Sequence, residues 1–425
     1  MTVTATGNGT NVGTVPPLDQ LLADWGSVSI EASGRTVLLP AHNNADSVVF
    51  TVVLPLHQTT PEAVAPALLW AASLPLCRVG SITLQERIEE LGGESTLRVV
   101  AGAVLLAGSC PHRSLTMSLD AIRCAMDGPG VAPQRLRAKA RELAEQHLLR
   151  WDNVEMRAQA LARRMAFGPR APLPAPTLHQ ELTDLCPSDI EHYRSCGTDP
   201  GWLVVAATDP PRWPEHPCQP PVEPPAFRPH SPPEPRIPIF AEDPGRGIGA
   251  VAFAGVLCPG LAGYWETRLA STVLGGYFAS RLWEQLRAGH GRVYSPRSIL
   301  EHTAAGPNVL ITANTASDDF PDTVRTVRQE LARLCQHGVD GPELLNAQRY
   351  LLGGLLRSAN GARRLCALVA TWLARGVPPA RLLASASMIR DVTPGGVLRA
   401  ARLTFAPSVM SVVLCGARPT TYPSS

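Results

Sequence analysis

Two stretches of this 425-residue chain, roughly 200 residues apart, run through the same succession of strands, helices and turns. An internal repeat constrains the fold more than any other sequence feature, because each copy must build one and the same unit. The apolar, β-branched run SVVFTVVLP at 47–55 has its counterpart in IGAVAFAGVL at 248–257, and both read as strands. An apolar helix follows each, EAVAPALLWAASL and YWETRLASTVLGGYF. Next come SITLQERIEELGGE at 81–94 and SRLWEQLRAGHGRVYS at 280–295, helical in period and each with a glycine stop. TLRVVAGAVLLAG and NVLITANTA then read as a second strand in each copy. A pair of helices joined by a short turn comes after, with Gly130, Val131 and Pro133 punctuating the first copy and Gly338, Val339 and Pro342 the second. Each copy closes on a strand, GWLVVAATD at 201–209 and SVMSVVLCGAR at 408–418.

Between the copies, residues 209–238 are dense in proline. Proline cannot continue a helix or a central strand, so this segment is expected to be an extended, semi-rigid connector. The architecture predicted is therefore α+β, with two domains of one design at 1–208 and 239–425 and a proline-rich linker at 209–238.

Composition removes several function classes. With 45% hydrophobic and 17% charged residues, the chain has the make-up of a globular protein with a sizeable core. A net charge of +2 gives no basic footprint for nucleic acid or an anionic membrane. No run of 18 apolar residues occurs, so no membrane-spanning helix is expected. The opening MTVTATGNGTNVGT lacks a cationic and an apolar region, so no signal peptide is read and a cytoplasmic location is expected. Lys139 is the sole lysine. It lies on a solvated helix face, which leaves neither a phosphate-loop lysine nor a good Schiff-base candidate.

The ten cysteines include no C-x-x-C pair, and no two of the eleven histidines fall within five residues of each other. Zinc ribbons, redox dithiols and H-E-x-x-H or H-x-x-E-H helices are thus absent from the sequence. No G-x-S-x-G elbow is present, and GRGIG at 245–249 lacks the third glycine of a dinucleotide fingerprint.

The second copy carries a sharper pattern: Leu274, Gly275, Gly276, then Ser280, Arg281, Leu282, then Arg287, and Tyr294 with Ser295 seven residues after that arginine. This pattern, with the Gly338–Val339 and Pro342–Glu343–Leu344 turn, resembles the pitrilysin/insulinase-type zinc peptidases, the inverzincins, and the processing-peptidase group most of all. Through the repeat, the resemblance extends over most of residues 30–420. It implies a mixed or antiparallel sheet packed with helices in each domain. It also places a zinc helix in the first copy, but EAVAPALLWAASLPLCRVGS has apolar and small residues where two histidines and the catalytic glutamate belong. The resemblance puts Glu145 at the place of the family's downstream glutamate ligand; the plain reading of the residue is a helix-surface charge.

One carboxylate without imidazoles cannot hold zinc, and without the motif glutamate no base activates water. No metal or cofactor is therefore expected in this chain. In heterodimeric members of the family, one subunit keeps the zinc and the other presents an arginine–tyrosine pair to its partner's site. Arg287 and Tyr294 match that pair in residue type and spacing. The expectation is a zinc-free subunit of a heterodimeric metallopeptidase, with zinc in a homologous partner and a peptide as substrate. A guanidinium and a phenol can both donate to the oxyanion of peptide hydrolysis.

Low lysine with high arginine and proline suggests a bacterial setting, where removal of a leader peptide would be a plausible task. Arg281 is expected to anchor its helix, and His290 and Arg292 to lie on a loop between the pair. The rival reading is an inactive structural or peptide-binding homologue of the same fold.

Overall fold

The two apolar runs are the central strands of two sheets. In a computed structural model of the protein, the structure describes residue 18 and residues 30–33, 35–39, 46–56, 63–100, 102–128, 130–195, 201–207, 239–242, 248–257, 263–288 and 293–417. The proline-rich segment 209–238 lies outside the described residues, as do His290 and Arg292.

The first half contains β1 (Glu31–Ser33), β2 (Thr36–Leu39), β3 (Ser47–Pro55), α1 (Val64–Ser73), the small pair β4 (Arg78–Val79) and β5 (Ile82–Thr83), and α2 (Leu84–Glu90). It continues through β6 (Glu94–Val100), β7 (Ala103–Pro111), α3 (Leu115–Asp127), α4 (Pro133–Trp151), α5 (Val154–Phe167), α6 (Ala175–Asp184), α7 (Pro187–Ser195) and β8 (Trp202–Ala206). The second half contains β9 (Ile239–Glu242), β10 (Ile248–Val256), α8 (Tyr264–Gly275), a π-helical turn at Trp283–Ala288, β11 (Val293–Thr303) and β12 (Gly306–Ala316). Then come α9 (Phe320–His337), α10 (Gly341–Ala359), α11 (Ala362–Ala374), α12 (Pro379–Leu383), α13 (Ser385–Arg390), α14 (Pro394–Thr404) and β13 (Ser411–Gly416).

Strand order confirms the repeat. The first sheet runs β1-β2-β8-β3-β7-β6 and the second β9-β13-β10-β12-β11. In both, the central strand pairs antiparallel with its two neighbours, and the closing strand pairs parallel with a short outer strand. The α+β class with mixed sheets is as expected. Two details differ from the sequence reading. The stretch 96–108 is not one strand but the hairpin β6–β7, which turns at Gly102 with φ 81°. The stretch 280–295 is not one helix: after Ser280 it winds into the π turn, and from Val293 it is already strand β11.

Each central strand is apolar along its whole length because both of its faces are covered. In β3, Val48, Phe50, Val52 and Leu54 pack with the first half's own helices, while Val53 joins the core that contains α11. In β10, Val251 and Phe253 pack with their own half's helices. The other face of β10, Ala250, Ala252 and Ala254, receives Ala158 and Ala162 of α5. The covering helices are thus exchanged: α5 leaves the first half for the second sheet, and α11 leaves the second half for the first.

Candidate functional site

α1 sits where the family resemblance places a zinc helix, and its chemistry is that of a core helix. Ala65, Ala67, Leu69, Trp70 and Ala71 are buried, and the Trp70 ring packs against Tyr193 with centroids 5.9 Å apart. On the neighbouring α4, Ala144 is the fully buried residue and Glu145 faces solvent. Glu145 is therefore placed as a surface charge. Among the described residues, no group of three His, Cys, Asp or Glu side chains could hold a metal ion.

The glycine pair of the second half has a packing reason. A Cβ on Gly275 would lie 2.6 Å from the backbone nitrogen of Ser298, so only glycine lets the end of α8 rest on β11. The hydroxyls of Ser271 and Ser298 meet there at 2.8 Å. Leu274 and Leu282 are fully buried. Arg281 anchors the following turn, donating to Glu343 from Nε at 2.8 Å and from Nη2 at 2.7 Å, and to the Gly338 carbonyl at 2.8 Å. The hydrogen bonds from Arg281 hold the Glu343 carboxyl below its ordinary pKa, against the opposing effect of burial.

On that anchored base stands an aromatic stack. Phe278, 80% exposed, packs on Trp283 with ring centroids 4.5 Å apart. The Arg287 guanidinium lies over the other partner's ring, Trp283, at 4.6 Å from its centroid. Arg287 is one helical step beyond Trp283, the spacing that lets two side chains meet on a helix. The cation–π contact holds the Arg287 guanidinium in one direction. Sequence reasoning missed Trp283 and Phe278, although the i, i+4 spacing of Trp283 and Arg287 was a usable signal.

Tyr294 is 65% exposed on β11, the edge strand of its sheet. Its cross-strand partner is Asn314, and the next paired residue is Arg297 opposite Thr312. Three steps on β11 thus match two on β12, which is a β-bulge. Ser295 within it has φ 51°, a backbone conformation that side-chain-bearing residues seldom adopt. Tyr294 and Arg287 form no hydrogen bond or ring contact with each other among the described residues; residues 289–292, which connect them, lie outside these. His42 and His57 also lie outside the described residues. His112 is exposed, and His147 is half-buried with its pKa lowered by burial and by Arg150.

Two repeats, each with an antiparallel core and a parallel outer pair, make up the described fold. Residues 210–351 match the family model of the peptidase M16 inactive domain. No curated protein matches the sequence. Among solved structures, the chain resembles the peptidase M16 inactive domain from Pseudomonas fluorescens, with a TM-score of 0.73, 15% identity, and coverage of 94% of this chain and 100% of that one. It also resembles a protease from Helicobacter pylori, with a TM-score of 0.71, 14% identity, and coverage of 92% and 99%. The periplasmic protease PqqL from Escherichia coli is similar at a TM-score of 0.66 and 12% identity, over 92% of this chain and 46% of that one. At 12–15% identity these likenesses show that the chain shares the fold of those proteins.

Proposed function

We propose that this chain is a catalytically inactive M16 homologue that works with a zinc-bearing M16 chain on peptide substrates. The observation that carries the reading is α1, the helix that follows the first central strand, which bears no histidine or glutamate. Such a chain has no metal to polarise a carbonyl and no base to activate water. The match to an inactive-domain family model supports the same reading.

The finer proposal is that Arg287 and Tyr294 reach the partner's active site and donate to the scissile carbonyl as it gains negative charge. Its support is the exposure of Tyr294 at a bulge and the stacking of Arg287 on Trp283. The inactive-domain match also favours a second reading, a structural or peptide-binding homologue that contributes no donor. A cytoplasmic location and removal of a leader peptide are further proposals. Among the described residues, no helix is long and apolar enough to cross a membrane.

The test is metal analysis and peptide turnover of the purified chain, alone and mixed with a zinc-bearing M16 homologue from the same source. The expected result is no stoichiometric zinc and no cleavage alone, with cleavage on mixing. About one zinc retained per chain, or turnover by the chain alone, would sink the proposal.

A further inference from the structure

Glu155 stands at the start of α5, the helix that the first half lends to the second. Its carboxylate collects donors from two strands. Oε1 accepts from Arg297 Nη2 at 2.5 Å, from Gln159 Nε2 at 2.9 Å and from Thr312 Oγ1 at 3.3 Å. Oε2 accepts from Asn314 Nδ2 at 2.8 Å. Arg297 Nε in turn donates to Thr312 Oγ1 at 3.2 Å. Three of these donors belong to the two ladder pairs that bracket the bulge, Tyr294 with Asn314 and Arg297 with Thr312.

The bulge decides where Tyr294 points. Thr312 and Asn314, two apart on β12, share one face of the sheet, and cross-strand partners share a face. Tyr294 and Arg297 are three apart, so in a regular strand they would point to opposite faces. The extra residue puts both on the face where Glu155 lies, and its removal would turn Tyr294 over. A strained Ser295 persists only where its surroundings hold it, and the Glu155 network clamps the strand from both sides of that residue.

We infer that Glu155 is a positioning residue for Tyr294: from the first half it pins Arg297 and Asn314, and so fixes the bulge that presents the phenol. The inference rests on the proposed donor role of Tyr294 for its functional meaning, and on the geometry alone for its structural content. The first half has a related device of opposite polarity. Arg363, the second residue of α11 as Glu155 is of α5, pairs with Glu94 on β6 and donates to Ser109 on β7 at 3.2 Å. A reversed pair is therefore compatible with this fold.

The experiment uses the full chain labelled at the tyrosine ring carbon that bears the hydroxyl, with the Tyr294 resonance assigned by its loss in Tyr294→Phe. Glu155→Ala and the milder Glu155→Gln are compared with the charge-reversed pair Glu155→Arg with Arg297→Glu. Hydrogen exchange of amides 293–297, thermal melting, and turnover by the chain reconstituted with a zinc-bearing homologue are read alongside. Loss of the carboxylate should shift or broaden the Tyr294 resonance and speed exchange at 293–297 at least tenfold, and the reversed pair should restore both. Turnover should fall in kcat with little change in KM, and adding Tyr294→Phe should cost nothing more. An unmoved resonance and unchanged exchange in both Glu155 variants overturn the inference. A moved resonance, with turnover indifferent to Tyr294→Phe, overturns the donor role and leaves the hold of Glu155 on Tyr294 standing.

Discussion

Arg163 of α5 and Glu301 of β11, 138 residues apart in the chain, form a two-pronged ion pair at 2.6 and 2.9 Å. Each side chain is only 19% exposed. The planar guanidinium matches the carboxylate edge to edge, and Asn308 adds a third bond to Glu301 at 2.9 Å. With this contact the first half's exchanged helix is fastened to the second sheet by charge as well as by packing.

Removing one partner leaves the other charge partly desolvated, which costs more than the pair contributes. Arg163→Met keeps the side chain's apolar stem and should still lower stability by about 1–3 kcal/mol, below the range for fully buried pairs. Chemical denaturation of the full chain checks this. Arg163→Met combined with Glu301→Gln should recover part of the loss, since no unpaired charge then remains.

The α5 contact with β10 is alanine on alanine, and Ala162 is fully buried. Overpacking so close an approach forces the helix off the sheet and costs about 1–3 kcal/mol. Ala162→Leu should therefore destabilise despite being more hydrophobic, whereas Leu149→Ala, on an exposed residue of α4, should change little. A parallel pair of melting curves decides it.

His302 lies against Tyr264, with ring centroids 5.6 Å apart. Burial, then the charges of Arg375 and Arg268, lower its pKa from 6.5 to about 4. The native state therefore refuses a proton that the unfolded chain accepts. Its effect is nil above pH 6.5, and stability is lost progressively as pH falls from 6.5 towards 4. At about 1.4 kcal/mol per pKa unit, the loss is on the order of 3 kcal/mol or less. His302→Phe should show a shallower decline than the parent across that window, in denaturation measured at several pH values.

If Tyr294 donates to the developing oxyanion, Tyr294→Phe removes one donor and keeps the ring. The expected loss in turnover by the reconstituted complex is roughly a hundred- to thousandfold. Trp283→Leu frees the Arg287 guanidinium from its stack, and a loss of about two- to fivefold is expected, matching an exposed cation–π contact of ~0.5–1 kcal/mol. Full activity in both variants, with assembly intact on a sizing column, would favour the purely structural reading.

The central strands were legible because β3 and β10 are apolar at nearly every position. That same pattern carried a message about the second face, since a strand solvated on one side alternates. It could not say which helix supplies the cover, and α5 and α11 escaped notice because an alanine–arginine helix and its target lie far apart in sequence. Gly102 sat inside an apolar run and was read through, although its positive φ makes it the hairpin turn. Arg287 and Tyr294 were singled out by the motif around them, which carried no sign of the bulge or of the stack on Trp283. The bulge beside Tyr294 had one sequence sign, Pro296, which is tolerated in a strand at an edge or a bulge. Glu155 had none, because its partners converge only in the folded sheet.

The exchange of α5 and α11 makes the chain resemble a dimer that traded arms and was then written as a single polypeptide. Each half, made alone, would have one face of its sheet bare, with Ala250, Ala252 and Ala254 open to water in the second. Two fragments divided within residues 209–238 should thus fail separately and assemble when produced together, since the covering helices and the Arg163–Glu301 and Arg363–Glu94 pairs all lie outside that stretch. Covalent continuity between the halves is then a matter of stoichiometry.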